Sequence, residues 1–192
     1  MNGEKREVEA CGLSTTLSFS ARVYAGESAS RGAWPWMAMI VKKRYSFVNG
    51  EWIQQWSHHC GGSIISERTI LSAAHCFDDM SDLKNYRIFL GKWEARLGLG
   101  NEQEFEIGEV IKHAEFTTHT FKNDIALIRL RAPIRFSEEV RPVCLPDPTN
   151  DITDESYILS GVASCFVLGW GHMEIDVSVI LCKYLDLTDS FI

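Results

Sequence analysis

The sequence predicts an all-β fold. Three observations carry that expectation. Short apolar or alternating runs recur along the chain, turn-forming residues separate them, and no long stretch repeats with the 3.6-residue period of a helix. Frequent short strands with turns between them are the pattern of a sandwich or a barrel.

The elements follow in order. Residues 1–22 are polar and rich in Ser, Thr and Glu, and are expected to be a mobile lead segment ahead of a folded domain over 23–192. The strand candidates are "WMAMIV" (36–41), "GGSIIS" (61–66), "YRIFLG" (86–91), "FEIGEVIKH" (105–113), "DIALIRL" (124–130) and "SCFVLGWG" (164–171). Between the first two, "RYSFVNGEWIQQW" (44–56) sets Asn49-Gly50 between aromatic-rich runs. Asn-Gly takes the positive φ angles of a type I′ turn, so the stretch predicts a β-hairpin rather than a surface loop. Pro133, Pro142, Pro146 and Pro148 mark a long extended connection between two subdomains.

Bulk properties narrow the function. The 192 residues are 45% hydrophobic, enough for one real core. The formal charge of −7 argues against nucleic acid as a partner, because a phosphate-binding face needs clustered Lys and Arg. No apolar stretch is long enough to span a membrane as a helix. Cysteines at 11, 60, 76, 144, 165 and 182 form no C-x-x-C pair, which leaves zinc-ribbon and thioredoxin motifs unsupported. Six widely spaced cysteines fit a disulfide framework and an oxidising, secretory location. The polar start "MNGEKREVEACGLS" shows no signal peptide, so the natural precursor is expected to begin earlier.

Within "ILSAAHCFDD" (70–79), His75 stands beside Cys76. A lone histidine in an apolar segment is most often a packed core or surface residue. It can also be a metal ligand or a base. Two features favour the base. A bridge between Cys60 and Cys76 would close a loop of about 16 residues, worth roughly 3 kcal/mol, and would fix the backbone beside the ring. Asp124, at the mouth of a strongly apolar strand, can cap a turn. It can equally accept from a histidine Nδ1–H and leave Nε2 free to take a proton. The order His then Asp is one in which that arrangement occurs.

Here the chain resembles the trypsin/chymotrypsin-like serine proteases. The resemblance runs from about Cys11 onward and rests on "RVYAGESASRGAWPWMAMI" (22–40), "HCGGSIISERTILSAAHC" (59–76), "NDIALIRL" (123–130), "RPVCLP" (141–146) and "GWG" (169–171). "SAAHC" and "NDIALI" together, in that order, are highly specific. The "GAWPWM" run, the hairpin and the upstream "CG" are most similar to the acrosin-like two-chain proteases.

The resemblance implies a double β-barrel with the active site in the cleft between the barrels. It implies His75 as general base and Asp124 as its orienter, with no cofactor and no metal. It implies bridges Cys60–Cys76 and Cys11–Cys144. It also implies activation by another protease between Arg22 and Val23, and protein or peptide substrates. The departures matter as much. No Gly-Asp-Ser-Gly-Gly segment occurs; the serines after Gly171 are Ser178 and Ser190, and Ser190 is followed by Phe191 and Ile192. Cys165 and Cys182 are therefore expected to be unpaired, or paired with each other. Tyr24 and Ala25 stand where the family usually has Val-Gly after the first residue of the new terminus.

The first barrel is thus expected nearly complete, the second mostly missing, and the chain inactive as it stands. One alternative is a non-catalytic pseudoprotease that binds a partner through the cleft or the hairpin. Another is a metal site from His58, His59, Cys60, His75 and Cys76. The acidic stretch "GNEQEFE" (100–106) has only part of a calcium-loop ligand set and is expected to be a solvated loop.

Overall fold

Seven strands form one sheet in the computed structural model, which describes residues 11–14, 29–77, 82–94, 102–145, 166–170 and 180–181. The strands are β1 (Met37–Val48), β2 (Glu51–Ser66), β3 (Thr69–Ser72), β4 (Tyr86–Leu90), β5 (Gln103–Phe105), β6 (Ile107–Lys112) and β7 (Ala126–Leu130). They lie in the order β5-β4-β1-β2-β3-β7-β6, and every paired neighbour is antiparallel.

The two outermost strands are consecutive in the chain. Only Glu106 separates β5 from β6. A single residue spans about 3.5 Å, so the opposite margins of the sheet must meet, and the sheet curls round. The segment expected as one strand over 105–113 is therefore two, broken at the residue that turns from one margin to the other. A short pair, β8 (Phe166–Val167) with β9 (Ile180–Leu181), forms a second small sheet.

The curl encloses the core. Ala38, Ile40, Ile64, Ile70, Ile88, Leu90, Ile107 and Ile128 point inward with Phe77 and Tyr86. In β4 the pattern alternates strictly, with Tyr86, Ile88 and Leu90 buried and Arg87 and Phe89 less so, as a half-buried strand requires. Close packing also explains Gly62 in β2. A Cβ added at Gly62 would lie 2.7 Å from Ile70 Cγ2 and 2.9 Å from the Leu71 carbonyl oxygen.

β1 and β2 run far past their expected ends, and the hairpin over 44–56 is their shared outer half. Val48 pairs with Glu51 across Asn49 (φ 52°) and Gly50 (φ 90°), the two positive angles a type I′ turn needs. The proline-marked connection packs back on the sheet as far as it is described. Ile134 N donates to Glu67 O at 2.7 Å, Arg141 N to Pro35 O at 3.0 Å and Val143 N to Ile64 O at 2.8 Å. Residues 11–14 join the body through the Cys11–Cys144 disulfide and a Gly12 N to Pro142 O hydrogen bond of 2.9 Å.

Where it is described, the acidic stretch after residue 100 is strand over Gln103–Phe105 rather than loop; Glu104 and Glu106 stay exposed, as expected, but the Glu102 side chain is largely enclosed. Glu102 reaches Lys92 Nζ at 2.6 Å, with the two side chains 9% and 0% exposed. Arg87 holds Glu104 at 3.2 Å and Glu106 at 3.1 Å. These carboxylates pair with cations of β4 and of the segment that follows it.

Gly62→Ala is expected to destabilise the chain by about 1–3 kcal/mol, because backbone stands in the way of the new methyl. A lowered guanidinium midpoint with an unchanged slope is the expected readout.

Candidate active site

The site follows from one strand pairing. β3 and β7 are antiparallel with Ser72 opposite Ala126. The end of β3 and the start of β7 therefore lie side by side. His75 comes three residues after Ser72, and Asp124 comes two before Ala126. Residues far apart in sequence are thus delivered to the same margin of the sheet.

Small residues make the turn. Ala73 and buried Ala74 lead into a 3-10 turn over His75–Phe77, with Phe77 N donating to Ala74 O at 3.1 Å. Phe77 anchors the turn in the core against Tyr86, ring centroids 5.4 Å apart. On the other side, Phe121 (φ 51°) and Asn123 (φ 58°) take left-handed conformations, and Ile125 N donates to Asn123 O at 2.8 Å. Asn tolerates such an angle; an aromatic residue there is strained. That strained Phe121 sets its ring edge-on to His75, centroids 5.9 Å apart.

His75 and Asp124 make two hydrogen bonds. The Nδ1–H of His75 donates to Asp124 Oδ2 at 2.6 Å, and the backbone N–H of His75 donates to Oδ1 at 2.8 Å. An ionised carboxylate only accepts, so Nδ1 carries the proton and Nε2 is left as the acceptor. The Asp124 side chain is 11% exposed and that of His75 45%. The carboxylate is thus held in the body while the imidazole opens outward. Nε2 lies 3.7 Å from Cys76 Sγ, a bridged sulfur that carries no hydrogen.

The chain belongs to the trypsin family. The family's sequence profile matches residues 23–190. A curated relative, transmembrane protease serine 9 of Rattus norvegicus, is 32% identical over 164 residues, which is 85% of this chain. The chain spans 13% of that relative's length.

Two further groups hold the trypsin-family turn. The Cys60–Cys76 disulfide ties it to β2. His59, which the sequence offered only as a metal candidate, also grips it: Nε2–H donates to Cys76 O at 2.7 Å, while Arg44 NH2 stands 3.5 Å from Nδ1. The positive guanidinium favours a neutral ring. Burial lowers the His59 pKa from the usual 6.5; the bond to Cys76 opposes this, and Lys42 and Arg44 add to it. Neither this role nor that of Phe121 has a sequence signature: His59 is the residue skipped where the β1–β2 pairing steps from Ile40–Cys60 to Val41–His58, and Phe121 sits in a strained turn.

Sγ of Cys60 and Cys76 and a ring nitrogen of His75 lie within 4.8 Å of one another. The two sulfurs are bonded to each other and offer no thiolate, and His59 Nε2 is committed to Cys76, so the five-residue metal alternative loses most of its donors. Arg22, Val23, Cys165, Ser178, Cys182 and Ser190 lie outside the described residues. A cavity of about 80 Å³ lined by Trp34, Met37, Lys92, Trp93 and Trp170 does not reach His75. Trp170, of the "GWG" triplet, meets His58 of β2 edge-on at 6.1 Å.

The lowered His59 pKa gives stability a sign with pH. The unfolded chain binds this proton more readily, so the contribution is complete above about pH 6.5 and is lost as pH falls toward the folded value. His59→Gln can still donate to Cys76 O but does not titrate. Its melting temperature is expected to fall less than wild type between about pH 7 and pH 5; parallel curves for the two proteins would contradict the assignment.

Proposed function

We propose that this chain carries the base and orienter of a serine-type endopeptidase, His75 and Asp124. The observation that supports the reading most is the double engagement of Asp124. One oxygen fixes the tautomer of the ring and the other fixes the backbone that bears it. A residue that merely capped the turn would need only the backbone bond.

The chemistry is acyl transfer. A serine hydroxyl adds to a peptide carbonyl carbon while Nε2 of His75 takes its proton. The imidazolium then gives that proton to the departing amine. Water next adds to the acyl-enzyme with Nε2 again accepting, and the serine leaves with the proton returned. Asp124 stays ionised throughout and stabilises the positive ring. Protein or peptide segments are the proposed substrates. Cleavage between Arg22 and Val23 by another protease is the proposed activation, with the Cys11–Cys144 bridge keeping the lead segment attached. That tether and the aromatic hairpin support placing the chain near the acrosin-like two-chain members. Two disulfides support function in an oxidising, extracellular compartment.

The 192 residues contain no Gly-Asp-Ser-Gly-Gly segment. We therefore propose that the chain as it stands has no useful turnover, since it supplies neither the serine nor the backbone donors of an oxyanion hole. A partner-binding pseudoprotease is the second reading, favoured by the exposed aromatic hairpin.

Two measurements test these proposals. A fluorophosphonate probe is expected to leave the 192-residue chain unlabelled, and a stable adduct on Ser178 or Ser190 would overturn the inactive reading. Diethyl pyrocarbonate reports on the base directly. His75 is expected to be modified at Nε2, and Asp124→Asn should slow that modification several-fold; an equal rate in the variant would remove the carboxylate from its role.

A further inference from the structure

β4 pairs with β1 only over residues 38–42, and β3 pairs with β2 only over 63–66. Residues 43–56 therefore form a two-stranded ribbon with no third strand beside it among the described residues. An isolated ribbon of this kind is marginal in water. Its register is regular, so side chains sort onto two faces with a period of two. One face carries Lys43, Tyr45, Phe47, Trp52, Gln54 and Trp56. The only acid of the ribbon, Glu51, pairs with Val48 on the opposite face.

The aromatic face packs on itself in part. Phe47 and Trp52 meet at 5.3 Å, Gln54 Nε2 donates to Tyr45 OH at 3.1 Å, and Lys43 Nζ lies 5.0 Å above the Trp56 ring. Such cross-strand pairs stabilise the ribbon. They do not cover it: Trp52 is 71% exposed, Tyr45 68% and Phe47 60%. Contiguous exposed rings of this size mark a contact surface.

Charge selects the occupant. Residues 42–57 hold Lys42, Lys43 and Arg44 against Glu51, a cationic stretch in a chain of net charge −7. An anionic surface would attract this end and repel the rest, which fixes orientation as well as affinity. A second copy docking face to face would bring the cationic ribbons together, at a cost.

We propose that the aromatic face of residues 43–56 is a lipid-surface contact that lies on an anionic phospholipid bilayer. Trp and Tyr carry an apolar body and a polar tip, and favour the boundary between headgroups and acyl chains. Lys43, stacked on Trp56, puts one cation at the base of this face, and Lys42 and Arg44, on the opposite face beside Tyr86 and His59, add longer-range attraction to the phosphates. No helix among the described residues is long and apolar enough to cross a membrane, and this contact needs none. The inference stands independently of the proteolytic reading.

The test is co-sedimentation of the 192-residue chain with sucrose-loaded vesicles, of phosphatidylcholine alone or with phosphatidylserine. Binding is expected to the anionic vesicles and to weaken with salt. Phe47→Ser with Trp52→Ser should lower the partition coefficient by at least about tenfold. Trp52→Phe retains an apolar ring at low structural risk; it should keep binding yet reduce quenching of tryptophan emission by brominated acyl chains. The proposal is overturned if the chain binds no vesicle, or if the double variant binds undiminished. It is equally overturned if sedimentation velocity shows a self-association that the double variant abolishes, because the face then serves a second copy.

Discussion

The antiparallel pairing of β3 with β7 is the constraint on which the site depends. It places Ser72 opposite Ala126, and the short segments that follow and precede those residues have only to turn toward each other. A register shift of one residue would reverse which side chains face the core. It would also move Asp124 away from the His75 backbone. The buried Ile70 and Ile128, themselves paired, make such a shift costly, because both would be turned toward water. Packing in the core thus sets the geometry of a pair at the margin.

The imidazole is held from several directions at once. Asp124 fixes the ring and its amide, the disulfide ties Cys76 to β2, His59 holds the Cys76 carbonyl, and Phe77 plugs the turn into the core. Each support is modest alone. The disulfide contributes roughly 3 kcal/mol through its loop, and a hydrogen bond about 1 kcal/mol. Together they leave the ring one orientation, with its outward nitrogen available to a donor. Orientation of this kind is what a proton-transferring group needs, since misplacement by an ångström is costly in rate.

Much of the fold was legible in the sequence, and for physical reasons. Alternation in "YRIFL" and the apolar run "ALIRL" announced strands, and Asn49-Gly50 announced its turn by the backbone angles it tolerates. His75 and Asp124 could be singled out because their sequence surroundings are specific. Other features depend on contacts that no local pattern encodes. The break at Glu106 follows from closure of the sheet. The sequence predicts the hairpin over 44–56, but its unbroken continuation into β1 and β2 follows from the long β1–β2 pairing. Glu102 read as solvated because the cation that meets it in a largely enclosed pair, Lys92, comes from an earlier part of the chain. His59 read as a metal candidate because its neighbours are His and Cys. Its actual partner, the Cys76 carbonyl, is invisible in a list of side chains.

The central proposal is that Asp124 holds the His75 ring in one orientation with its proton on Nδ1. The most direct measurement is a nitrogen–proton correlation spectrum of the neutral His75 imidazole. The expected result is a single tautomer protonated at Nδ1, with a low-field Nδ1–H signal that exchanges slowly and disappears in Asp124→Asn. A ring protonated at Nε2, or one averaging between tautomers alike with and without the carboxylate, would contradict it.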